Sequence, residues 1–258
     1  MPDSIEQASF SEFIMAKKKP KAGKCVHCLK TFEHLTWDHV FPEAWYPATT
    51  KPNQYKWQVP SCQNCNKKYG ALENDLLIRL SICLEPNDSA CAGIFEKGMR
   101  AIDPKYAKNE KDKRFRQAKR EKILRELWVG EAIPQKHLYP NFGSYAHLPI
   151  QDQVSVPISA DSVKRLAEKI VRGIFYIEDK LFIEPPYSIE SFVLNDKDAQ
   201  PVMKATQKFG SIYAREPGIT VYRAVIPEDQ LSSLFAVEIW ERFKVYATVL
   251  APNVAISK

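Results

Sequence analysis

Cys25-Val-His-Cys28 and Cys62-Gln-Asn-Cys65, with Leu35-Thr-Trp-Asp38-His39-Val-Phe-Pro42 between them, are the stretches on which the reading of this chain turns. A Cys-x2-Cys knuckle puts two thiolates about one tight turn apart, so both sulfurs can face one ion. Two knuckles complete a tetrahedral four-cysteine zinc site with bonds of roughly 2.3 Å, and four protein ligands close the coordination sphere, which makes the zinc structural. A segment of about 60 residues has little core of its own, and zinc can contribute on the order of 10 kcal/mol to its folding. The alternative is four buried free thiols.

Between the knuckles, the segments 34–41 and 55–60 predict two short strands. Pro42, Pro47 and Pro52 prevent a tight two-residue hairpin, so a longer loop must join them. After the second knuckle, Leu72, Leu76, Leu77 and Leu80 recur at helical spacing. On a regular strand the adjacent Asp38 and His39 point to opposite faces unless a bulge or strand end re-aims them.

Taken together, Cys-x2-Cys, the strand ending Thr-x-Asp-His-apolar-x-Pro, then Val-Pro-x-Cys-x2-Cys-Asn and a Gly a turn later resemble the zinc-knuckle branch of the HNH endonucleases. The resemblance covers Cys25 to about Leu80. It implies a ββα-metal fold, phosphodiester hydrolysis of nucleic acid, most often DNA, and settings such as bacterial restriction and anti-phage defence. It also implies His39 as general base, with Asp38 and the helix-borne Asn66 as ligands of a catalytic Mg²⁺ or Mn²⁺. The chemistry suits those types, because neutral imidazole takes a proton near pH 7 and hard oxygen ligands suit Mg²⁺.

Two positions depart from the family. Trp57 stands where it has an Asn that braces the site and orients the base, with Asn53 the nearest substitute. Tyr69 stands where a Lys often precedes the Gly, leaving Lys67 or Lys68 for the phosphate contact. The loss of the Asn keeps a second expectation open, a non-catalytic zinc module that binds nucleic acid or protein. Glu73, seven residues after Asn66, shares its helical face and either adds a carboxylate to the site or is an exposed helix residue. His27 and His34 read as solvated turn histidines that could approach DNA. Cys83 and Cys91 read as small apolar fillers, and His137 and His147 are unassigned.

The remainder sets the class. A chain of 258 residues with 45% hydrophobic and 26% charged residues is ordinary for a soluble globular protein. It has no apolar run of the roughly 18 residues that a membrane span needs. The absence of a secretory signal pattern predicts a cytoplasmic protein without membrane partners. The net charge of +6 is unevenly placed: residues 97–125 hold 12 Lys and Arg against 4 Asp and Glu, a balance of +8 that leaves −2 for the rest. This stretch predicts one or two charged helices on which Lys113, Arg114 and Arg116 could track a phosphate backbone, although such a run can equally be a solvated face.

The expected organisation is α+β: an N-terminal arm (1–24) with a basic 17–24 run, the nuclease module (25–93), a basic and Pro-rich connection (94–150), and an α+β domain (151–258). In the last unit, Val163, Leu166, Ile170 and Ile174 predict a helix capped by Ser159 or Asp161. The segments 188–194, 218–226, 234–240 and 243–250 predict strands of a mostly antiparallel sheet. A protein partner could dock through this domain.

Overall fold

The computed structural model describes residues 20, 22–85, 87–134, 138–140, 142–143 and 148–251. The apolar stretch within residues 1–19, the lysines at 17–19 and 21, His137 and His147 lie outside the described residues.

Antiparallel pairing begins at the first knuckle, where β1 (Gly23–Lys24) and β2 (Thr31–Phe32) pair across Cys25 and Cys28. Next, β3 (Thr36–His39) pairs with β4 (Gln58–Ser61) in the register Asp38↔Val59 and His39↔Gln58, without a bulge. The Pro-bearing loop joins them, as the proline positions require. Helix α1 (Gln63–Ile82) starts at the second knuckle and buries Leu72, Leu76, Leu77 and Leu80.

The basic stretch forms two helices, α2 (Ile94–Ile102) and α3 (Glu110–Glu126). Arg79 of α1 anchors α3: its Nη2 donates to Glu126 at 2.6 Å, its Nε to Asp75 at 2.8 Å and its Nη1 to the Pro157 carbonyl at 2.7 Å. The connection contains one short ladder, β5 (Trp128–Val129) with β6 (Val154–Ser155).

Helix α4 (Ala160–Asp179) is capped by Ser159, whose Oγ accepts from the Ser162 amide. Then come β7 (Ser188–Phe192), α5 (Asp196–Phe209), β8 (Ser211–Arg215), β9 (Ile219–Ile226), β10 (Asp229–Ile239) and β11 (Phe243–Leu250). The strands form one antiparallel sheet in the order β7-β11-β10-β9-β8. The chain is thus α+β with a five-stranded antiparallel sheet. Four of these strands fall on the segments expected, whereas α5 and β8 were not anticipated. Helix α5 buries only Ala199 and Thr206 and contains Pro201, so its apolar face is too thin to show as a period.

Alternation on the strands separates two cores. Phe243, Val245, Ala247 and Val249 join the core that contains α4, while Tyr246 and Ala236 pack in the cluster with Ala199 of α5. The α4 core is continuous with the N-terminal segments, taking in Val40, Phe41, Trp45, Trp57 and Val59. Trp240 Nε1 donates to the Trp45 carbonyl at 2.7 Å across that core. At Gly173 a Cβ would lie 2.5 Å from the Val40 methyls, so the missing side chain lets α4 come up against the end of β3.

Candidate functional site

The four knuckle sulfurs come together: the Sγ atoms of Cys25, Cys28, Cys62 and Cys65 all lie within 4.8 Å of one another. Two backbone amides face them, Cys62 N–H donating to Cys25 Sγ at 3.3 Å and Cys65 N–H to Cys62 Sγ at 3.4 Å. The second contact is also the N-cap of α1, so its positive end faces the sulfurs. Burial raises the Cys25 thiol, but amide donors from Cys28, Cys62 and His27 outweigh it and lower the pKa. Burial pushes Cys28 and Cys65 up, an environment that favours shared metal coordination over four free anions. The donor set therefore fits a closed, structural zinc.

Asp38 and His39 point to opposite sides of β3, as an unbulged strand dictates. Asp38 is buried, its side chain 7% exposed, and both oxygens are engaged. Its Oδ2 lies 2.8 Å from His27 Nε2, and its Oδ1 accepts from Lys169 Nζ at 3.2 Å. Lys169, on α4, is fully buried and also pairs with Glu73 of α1. The Tyr69 ring lies beneath its ammonium at 5.3 Å and beside the His27 ring at 4.7 Å. Burial raises the Asp38 pKa, yet the His27 hydrogen bond and the Lys169 charge bring it below the ordinary value. Burial lifts the Glu73 carboxyl despite Lys169. Burial also lowers the His27 pKa, against the raising effect of Asp38.

His27 is therefore not a solvated turn residue and Glu73 is not an exposed one, whereas His34 is exposed. Cys91 is buried and belongs to no cluster of potential metal ligands among the described residues, and burial raises both its thiol and that of Cys83 to about 11.

Asn66 is turned toward the strand. Its Nδ2 donates to Thr36 Oγ1 at 3.0 Å and to the Trp37 carbonyl at 3.2 Å, so it braces α1 against β3. A divalent cation held by Asp38 and Asn66 does not fit this arrangement, because an ammonium already stands at Asp38. Among the described residues, the four cysteines are the one group of three or more His, Cys, Asp or Glu ligand atoms close enough together to hold an ion.

His39 lies on the other face, half-buried, with its Nε2 2.9 Å from the Gln58 amide nitrogen. In that orientation Gln58 donates to the Nε2 lone pair. After a half-turn of the amide, Nε2–H donates to Oε1 and the Nδ1 lone pair is free. Burial lowers the His39 pKa, and Glu43 and Lys56 are near enough to act on it in opposite senses. Trp57 enters the core, and its carbonyl accepts from Val40 N–H at 3.0 Å, while the Arg215 guanidinium stacks 4.4 Å over its ring. Asn53 is exposed.

Of the suspected nucleic-acid contacts, Lys67, Lys68, Lys113 and Arg114 are exposed. Arg116 is half-buried and engaged within the protein's own structure, donating to Asp112 at 3.1 Å and to the Arg100 carbonyl. Sequence reasoning missed Gln58 and Lys169. For Lys169 a signal existed: a lysine three residues after Leu166 and four before Gly173 falls on the buried side of α4.

No helix among the described residues is long and apolar enough to cross a membrane. Comparisons with protein-family models, with curated proteins and with solved structures each gave no match.

Proposed function

We propose that the chain is an HNH-type nuclease that hydrolyses phosphodiester bonds of nucleic acid, most simply DNA, with His39 as the base. The observation that carries this reading is the His39–Gln58 pair. It is a half-buried imidazole whose burial favours the neutral form, held by a side chain one residue from the place where the family's Asn is missing. The order of hairpin, knuckle and helix supports the ββα-metal comparison, and a closed zinc would fix the start of α1 relative to β3.

In this reading the Gln58 amide is turned so that its Oε1 accepts from Nε2–H, and Nδ1 of His39 takes a proton from water. The oxygen attacks phosphorus, the P–O3′ bond breaks, and the leaving oxygen acquires a proton from solvent. Nothing in the arrangement around Asp38 and Asn66 supports a catalytic Mg²⁺ or Mn²⁺ there, and no step above depends on one.

A second reading has its own observation. The sealed Asp38 favours a zinc-organised module that binds nucleic acid without cutting it. Supercoiled plasmid, single-stranded DNA and RNA incubated with zinc-loaded protein, with and without added Mg²⁺ or Mn²⁺, separate the two. Cleavage by the wild type that drops by about 10² to 10⁴-fold in His39→Ala supports the nuclease. Salt-dependent binding without cleavage on any substrate overturns it in favour of the binder.

A further inference from the structure

Two carboxylates, Asp38 from β3 and Glu73 from α1, face a common point inside the protein, and the group at that point is the ammonium of Lys169 from α4. Lys169 is 0% exposed, and the two acids are 7% and 14% exposed. A buried charge persists when it is paired and its hydrogen-bonding capacity is met. An ammonium has three donors, and here it has three recipients: Asp38 Oδ1 at 3.2 Å, Glu73 Oε1, and the face of Tyr69 at 5.3 Å. On the far side of Asp38, His27 Nε2 lies 2.8 Å from Oδ2. The three donors of the ammonium are thus all met. A divalent ion entering between the carboxylates would have to expel the ammonium into a dry core.

We infer that Lys169 is the resident cation of the Asp38–Glu73 site and takes the place of a divalent metal ion there. It acts as a positioning residue, since it ties β3, α1 and α4 together next to His39 without reaching solvent. The inference goes beyond the nuclease reading and does not need cleavage to be tested.

The test is Mn²⁺ binding to the zinc-loaded full chain, followed by the electron paramagnetic resonance signal of free Mn²⁺. Wild type and Asp38→Asn should leave the same free signal, meaning no Asp38-dependent site. Lys169→Met, which leaves two carboxylates facing each other, should take up one Mn²⁺ per chain, and adding Glu73→Gln should weaken that uptake at least about tenfold. Zinc content and circular dichroism establish that the variants are folded. One Mn²⁺ per wild-type chain, lost in Asp38→Asn, overturns the inference, and so does a folded Lys169→Met protein that gains no site. If Lys169→Met does not fold, the comparison of wild type with Asp38→Asn decides. Absence of cleavage sinks the nuclease reading and leaves this result standing.

Discussion

Gln58 and His39 occupy directly paired positions on β4 and β3, with Gln58 Nε2 2.9 Å from His39 Nε2. Strand register sets the two side chains side by side, and the hydrogen bond between them orients the imidazole. Gln58→Leu keeps the strand but removes the side-chain hydrogen bond to the ring, so cleavage should fall by up to about 10²-fold through misorientation. Zinc content should not change. Undiminished cleavage in a folded Gln58→Leu protein would argue that the ring is aimed by something else.

The pH profile carries a sign. Burial lowers the His39 pKa, so the neutral, proton-accepting form persists to lower pH than for a free imidazole. The rising limb of kcat/KM should therefore have its midpoint below about 6.5, with activity lost as pH falls through it and already level at neutrality. Gln58→Glu places a carboxylate beside Nε2, favours the imidazolium, and should move the limb upward. A wild-type limb centred above pH 7 contradicts the assignment.

For the zinc site, Cys62→Ser removes a ligand sulfur, while the serine hydroxyl can still accept from the Cys65 amide and cap α1. Structural zinc contributes on the order of 10 kcal/mol, comparable to the whole net stability of a domain at about 5–15 kcal/mol. The variant should lose zinc, measured by elemental analysis, and lose cooperative thermal unfolding of the N-terminal segments. Retention of both would leave the cysteines as ordinary core thiols.

On α3, the exposed Lys113 and Arg114 differ from Arg116, which holds Asp112 and the Arg100 carbonyl. Reversing Lys113 and Arg114 to Glu should weaken DNA binding and reduce the slope of log affinity against log salt by about 2, near 0.9 per lost phosphate contact. Arg116→Glu should instead lower thermal stability. If the double reversal leaves binding unchanged at every salt concentration, the helix presents a solvated face.

What was legible in the sequence follows from how local each signal is. The cysteine spacing anticipated the four-sulfur cluster, and the period of Val163, Leu166, Ile170 and Ile174 anticipated α4 with its Ser159 cap. The opposite-facing Asp38 and His39 followed from strand geometry alone. The Gln58–His39 contact required knowledge of the β3–β4 register, which a loop of unknown path does not reveal. The partners of Lys169 lie 96 and 131 positions away in the chain. A lysine on a buried helix face announces that it must have a partner, but nothing local says which.

That separation has a consequence for the protein as it is made. Asp38 and Glu73 leave the ribosome well before their ammonium partner exists. At the usual rate of about 5–20 residues per second, the 131-residue gap between Asp38 and Lys169 corresponds to roughly 7–26 s of synthesis. Over the last 96 residues of that interval the hairpin and α1 carry two acids without their countercharge, so their docked arrangement waits on α4. The N-terminal segments and the sheet-bearing half therefore mature together, and the order of emergence sets when His39 is first held in its final surroundings.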